Sequence, residues 1–151
     1  MKKNFIVLLI SLFATSASYA QKYEFKIITT VESIVPLGLG RSRMIVSNEN
    51  RDYKEFTTTR TEEDNARNSS ERTDIRVKGF EETKLLNFYN IAGIRFQNIV
   101  ANDAVVTSKL NAMAEEGWDL TFVNSAVESD AGKQDGEGIF ITRYVFKRMK
   151  K

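Results

Sequence analysis

The segment Gly38-Leu39-Gly40-Arg41-Ser42-Arg43 is the part of this chain best suited to holding a ligand. Its glycines let main-chain amides approach an anion, and the guanidinium groups of Arg41 and Arg43 can grip one. The spacing falls short of the known phosphate motifs. A P-loop closes on Gly-Lys-Ser/Thr, and a dinucleotide fingerprint needs a third glycine opening a helix. The competing reading is a plain strand connection with solvated arginines. Asp130, Asp135 and Glu137 form a second candidate in the stretch SDAGKQDGEG, 129–138. A calcium loop of the EF-hand type wants oxygen ligands at alternate positions and glycine at the sixth. Counted from Asp130, the third position is Gly132, the sixth is Asp135, and Lys133 opposes a cation, so the stretch reads as a hairpin loop. Glu115 and Glu116 would point about 100° apart on a helix and read as solvated. Arg143, Lys147, Arg148, Lys150 and Lys151 read as a solvated basic tail.

The chain has no histidine and no cysteine. Ser-His-Asp and Cys-His nucleophile systems are therefore out of reach, as are zinc sites built on those residues. Acid–base work would fall to Asp, Glu, Lys or Tyr. The expectation is a non-enzyme with no catalytic residues, no metal and no cofactor.

Several elements must position these residues. The stretch YEFKIITTV, 23–31, alternates, with Tyr23, Phe25 and Ile27 on one side and Glu24 and Lys26 on the other, the pattern of a half-buried strand. A short strand is expected at 43–47. The polar stretch 48–80 contains FTTTRT (56–61) and RTDIRV (72–77), which can pair as a hairpin or belong to a mobile insertion. KLLNFYN, 84–90, reads as a strand. A helix is expected over about 103–116, with Asn102 or Asp103 as N-cap and Gly117 as a left-handed C-cap residue. WDLTFVN, 118–124, alternates again, Trp118, Leu120 and Phe122 against Asp119 and Thr121. IFITRYVFK, 139–147, is apolar on both sides and belongs inside a sheet. The fold class is thus α+β, a small, mainly antiparallel sheet packed on one principal helix, with the strands at 23–31, 118–124 and 139–147 carrying most of the core.

Residues 1–20 (MKKNFIVLLISLFATSASYA) read as an export signal: Lys2 and Lys3, then an apolar run at 5–13, then small residues at Ser18 and Ala20. The run is well short of the ~20 residues of a membrane span. Removing these twenty residues from 151 leaves 131, one α+β domain at 21–151 with a polar insertion at about 48–80. The leader holds two of the 22 basic residues, so the remainder carries 20 basic against 20 acidic side chains. A nucleic-acid binder would show a basic excess. The expected product leaves by the Sec route and is soluble in the periplasm or outside the cell. It carries no lipid anchor, because there is no cysteine at the cut.

Tyr23-Glu24-Phe25-Lys26, LNAMAEEGWDLTFV (110–123) and YVFKR (144–148) together resemble the domain of unknown function family numbered 4177, whose members read YEYKVV, LNELGAEGWELVSV and YVFKR. The likeness covers the two ends of the domain and departs between 32 and 101. That middle is similar to exported proteins of Bacteroidetes-type bacteria. The resemblance implies a strand–helix–strand–strand core and brings no activity and no catalytic residue. The favoured expectation is a non-enzymatic module of the cell envelope that binds an unknown protein or envelope ligand through 48–80 and the 38–43 turn. A self-assembling envelope component is the alternative, with a carboxylate-based hydrolase last.

Overall fold

The computed structural model describes residues 22–34, 41–90, 92–128 and 138–150. Residues 1–20, the glycines at 38 and 40, and the acidic side chains at 130, 135 and 137 lie outside them. Five strands form one antiparallel sheet in the order β3-β2-β1-β7-β6. They are β1 (Tyr23–Ser33), β2 (Arg43–Ser47), β3 (Phe80–Lys84), β6 (Asp119–Glu128) and β7 (Ile139–Met149). A two-stranded ribbon, β4 (Tyr89–Asn90) with β5 (Gly93–Ile94), leads into the principal helix α2 (Phe96–Glu115). The class is the expected α+β, and β7 lies inside the sheet between β1 and β6. β1 and β7 pair over their whole length, from Tyr23 opposite Met149 to Ser33 opposite Ile139. The strand thus runs on through Arg148, and the basic tail is sheet as far as Met149. Among the described residues no helix is long and apolar enough to cross a membrane.

One stripe of α2 recurs every three or four residues: Ile99, Asn102, Val106, Leu110 and Met113, with Val105 beside it, turn inward. Of these, Val105, Leu110 and Met113 meet Ile28 of β1, Met44 and Val46 of β2, Phe146 of β7, and Leu85 and Trp118 in one cluster. Two strands therefore contribute differently from expectation. β2 supplies two core residues, whereas β6 has no buried residue. Gly117, at φ +81°, ends the helix as expected. Its N–H donates to Ala114 O at 2.9 Å and that of Trp118 to Met113 O at 3.0 Å, the paired bonds of a Schellman close. The turn delivers Trp118 straight into the core.

The helix begins at Phe96, seven residues before the expected start, and Asn102 is interior to it rather than an N-cap. The reason is a tertiary demand on its amide. Asn102 Oδ1 accepts Leu86 N–H at 2.7 Å, and Nδ2 donates to Leu86 O at 2.8 Å. One side chain thus replaces the ladder partner that a strand would have given Leu86. Asn98 Nδ2 likewise donates to Asn87 O at 2.8 Å. These bonds account for the failure of 84–90 to form one strand: only Lys84, Tyr89 and Asn90 are sheet, Leu86 and Asn87 are held by the helix, and the N–H groups of Leu85 and Phe88 donate to Ser42 O and Ser33 O.

Of the two readings of this stretch, the hairpin of 56–61 with 72–77 does not form. A 3-10 turn at Tyr53–Phe56 is capped by Asp52, and a short helix α1 (Arg72–Ile75) is closed by Glu71 N–H donating to Asp74 Oδ2 at 2.9 Å. Local caps satisfy the main chain here more readily than a ladder with few apolar side chains to bury. The excursion starts and ends at one point. Asn48 N–H donates to Gly79 O at 3.2 Å. The Glu49 carboxylate accepts the N–H groups of Lys78 and Gly79 and pairs with Arg51. A Cβ at residue 79 would meet Glu49 Oε1 at 2.9 Å, so a larger residue there would push that carboxylate aside.

The Gly79 N–H, then Arg51, hold the Glu49 carboxyl below its ordinary value of 4.5. A carboxylate favoured in the folded state stabilises above its unfolded pKa, and the benefit disappears as pH falls through the lowered folded value. Protection of the Lys78 and Gly79 amides, relative to their intrinsic exchange at each pH, should therefore hold down to the ordinary carboxylate range and fall below it. Glu49→Gln should make that protection independent of pH. Unchanged protection in that variant would show that the carboxylate does not hold the neck.

Candidate interaction face

The sheet has two unlike faces. The helix covers the one bearing Ile28, Thr30, Met44, Val46 and Phe146. On the other face β1 presents Tyr23, Phe25 and Ile27, which are 42, 64 and 50% exposed. This reverses the expected orientation of the strand. Its alternating aromatic and aliphatic side faces outward, and Glu24 and Lys26 lie on the helix side, where Glu24 bonds Arg148 Nε at 2.5 Å.

Phe122 joins the same outer face through a bulge. The register between β6 and β7 shifts between Leu120 and Phe122, so Leu120 stands opposite Phe146 and Phe122 opposite Val145. One extra residue, Thr121, turns the following side chains to the other side. Trp118, Leu120 and Phe122 therefore do not share a face as expected. Phe122, 67% exposed, lies in one row with Val145 and Ile27. A groove of about 350 Å³ continues the row through Ile45, Ser47, Val77 and Phe80. Phe80 is itself 50% exposed.

Tyr23, Phe25, Ile27, Phe80 and Phe122 at these exposures present on the order of 500 Å² of apolar surface, taking ~200 Å² for a large side chain. Contiguous apolar patches of ~300–600 Å² are the largest that ordinary monomers carry, and they are often functional. Charges border the patch. Lys147 lies 5.2 Å from the Tyr23 ring centre, and Arg143 is exposed on β7.

No protein-family model, curated protein or solved structure matches the chain. The geometry carries the functional reading by itself.

Arg43 Nε pairs with Glu82 at 2.6 Å and Nη1 donates to Ser42 O at 2.7 Å, while Arg41 is exposed. Ser42 between them is buried. Its hydroxyl accepts Ser33 N–H at 2.9 Å and bonds Asn87 Oδ1 at 2.8 Å. The segment thus fastens β1 to the 85–88 connection. Glu115 and Glu116 are exposed, as expected. Arg148 is not a solvated tail residue; its guanidinium lies 4.3 Å over Trp118.

A titratable cluster sits beneath the first half of α2. Burial pushes the Glu32 carboxyl up; a hydrogen bond from Asn102 Nδ2 at 2.7 Å works against this, and the charge of Asp103 adds to it. Burial likewise raises Tyr144, with the Thr30 hydroxyl opposing and the charges of Glu32 and Asp103 adding. Perturbed groups of this kind occur in active sites and in structural networks alike. Here Glu32 is tied to Asn102, which clamps Leu86, and the cluster reads as part of that clamp. Among the described residues no three acidic side chains gather as a cation site would need.

Sequence reasoning missed Ile45, Phe80 and Phe122 as members of one surface. The available signal was β7, apolar on both sides, which implied that the outer face of its neighbours is apolar too.

Proposed function

We propose that this chain is a non-enzymatic interaction module of the cell envelope that binds a protein partner through the uncovered sheet face. The observation behind the proposal is the outward orientation of Tyr23, Phe25 and Ile27, a strand's apolar side turned away from its own helix. Burying on the order of 500 Å² would contribute ~12 kcal/mol gross at 25 cal/mol per Å², most of it offset by the costs of association. The partner that fits is apolar at its centre, with acidic groups placed to meet Arg143 and Lys147. The foot of the polar excursion, at Val77 and Phe80, borders the groove. The insertion expected to bind thus helps shape this surface. Export to the periplasm or beyond belongs to the same proposal and is supported by the composition of residues 1–20. The resemblance to the family numbered 4177 adds an expected core and no activity.

A photo-crosslinking residue at Phe25 in the full chain, expressed in its host, should yield a defined adduct. The same residue at Ser108, exposed on α2, should not. Phe25→Ser combined with Phe122→Ser should abolish the adduct formed from Ile27 while leaving the melting temperature unchanged, because both rings are mostly exposed. Equal adducts from Phe25 and Ser108, or an adduct that survives the double substitution, would refute the proposal.

A further inference from the structure

We propose that two copies of this chain pair antiparallel along β6, making one continuous ten-stranded sheet. The two edges of the sheet differ in kind. β3 is five residues long and carries Glu81, Glu82 and Lys84, the charges with which natural edges repel further strands. β6 is ten residues long, and its stretch 120–127 (LTFVNSAV) contains no charge and no proline.

Among the described residues β6 is also bare on both faces. Phe122 stands on the uncovered face, while Leu120, Val123 and Val127 stand on the helix side, opposite Phe146, Tyr144 and Phe140. Even there they remain 46, 52 and 59% exposed, because the helix does not reach over them. A partner docked on the outer face would touch Phe122 and leave these three uncovered. A second β6 covers Phe122 together with Val123 and Val127, since its own side chains flank them on each face.

The strand is complementary to itself. Past the bulge, 122–128 alternates without interruption. A twofold axis perpendicular to the sheet through Ser125 keeps every residue opposite one on the same face. Val123 then meets Val127 of the second copy, twice. Phe122 meets Glu128, Asn124 meets Ala126, and Ser125 meets itself. No like charges oppose each other, and apolar cross-strand pairs stabilise such a ladder. With the axis at Ser125 the ladder runs over 122–128, about 24 Å. A strip of that length covered on both faces is on the order of 500 Å² per copy, about 1,000 Å² in total, the lower end of what a specific interface buries. The outer faces of both copies would merge across the seam at Phe122. The pairing does not depend on the outer face having a partner.

The test uses protein purified after expression of the full chain. Because the chain has no cysteine, Ser125→Cys gives a clean readout. Directly opposed residues have Cβ atoms about 4.5–5.5 Å apart, so mild oxidation should give a disulfide-linked dimer rapidly. Thr107→Cys on the exposed side of α2 should not. Sedimentation should show a wild-type dimer. Val123→Lys should weaken it about a hundredfold without lowering the melting temperature of the monomer, since the side chain is half-exposed. Phe25→Ser should leave the dimer intact. A wild-type chain that stays monomeric up to about 100 µM would overturn the proposal. So would equal crosslinking of the two cysteine variants, or a dimer lost in Phe25→Ser and kept in Val123→Lys. The last result would place self-association on the outer face instead.

Discussion

Asn102→Ala is expected to cost about 3–5 kcal/mol, a fall in melting temperature on the order of 15 °C, measured by urea and thermal denaturation. Asn102 is 2% exposed and holds three partners: the N–H and C=O of Leu86, and the Glu32 carboxylate. Alanine leaves each of them short of a bond in a place water does not freely reach, at about 1–3 kcal/mol per unsatisfied group. A helix-propensity argument gives the opposite sign, since alanine is the better helix former by well under 1 kcal/mol. The tertiary loss decides. The deficit should shrink as pH falls. The Glu32 carboxyl titrates above its ordinary value when folded. The folded state therefore binds that proton more tightly, and stability grows as pH drops through the raised value towards the unfolded one. Without Asn102 the ionised form loses its hydrogen bond, so protonation relieves more. Asn102→Asp should lie near the alanine variant at pH 7, with a new charge against Glu32 and Asp103, and should recover further in acid. A variant as stable as wild type would remove the clamp from the account of how the helix starts.

Trp118→Ala should cost a comparable 3–5 kcal/mol, the range for a large buried aromatic cut back to a methyl. Trp118 sits in the core cluster with Met113 and Phe146, and Arg148 lies 4.3 Å over its ring. Trp118→Phe should cost far less, about 1–2 kcal/mol. Among the described residues the indole N–H has no hydrogen-bond partner, so phenylalanine forfeits volume and part of the cation–π contact but no polar bond. Since this is the single tryptophan, its fluorescence should be blue-shifted in the native protein and move red on unfolding. Circular dichroism must follow the two variants. Equal losses for alanine and phenylalanine would mean that the indole N–H matters after all.

Much of the frame was legible in the sequence, because strand alternation and the helix stop are local. Gly117 requires only its own left-handed backbone and the two bonds that follow it. β2 stands at the residues expected, and β1, β6 and β7 lie within a few residues of theirs. What was not legible depends on partners distant in sequence. Asn102 followed by Asp103 has the composition of an N-cap, and only the main chain of Leu86, sixteen residues away, makes it an interior residue. Alternation along β1 separates two sides without saying which the helix will cover, and the helix chose Ile28 and Thr30. Thr121 looks like any other polar strand residue, yet as a bulge it moves Phe122 across the sheet. The arginines at 41 and 43 stand out in the sequence by their charge. Charge alone could not foresee that Glu82 would occupy one of them, nor that Ser42 would matter more to the fold.

The neck of the polar excursion has an evolutionary corollary. Its two ends meet within one hydrogen bond, Asn48 to Gly79 at 3.2 Å, so its thirty-odd residues form a cassette joined to the scaffold at a single doorway. Lengthening, trimming or exchanging that cassette alters loop-closure entropy by only ~0.6 kcal/mol per doubling and leaves the pairing of β2 with β3 in register. Descendants of this scaffold are free to vary that appendage widely while inheriting everything beneath it unchanged.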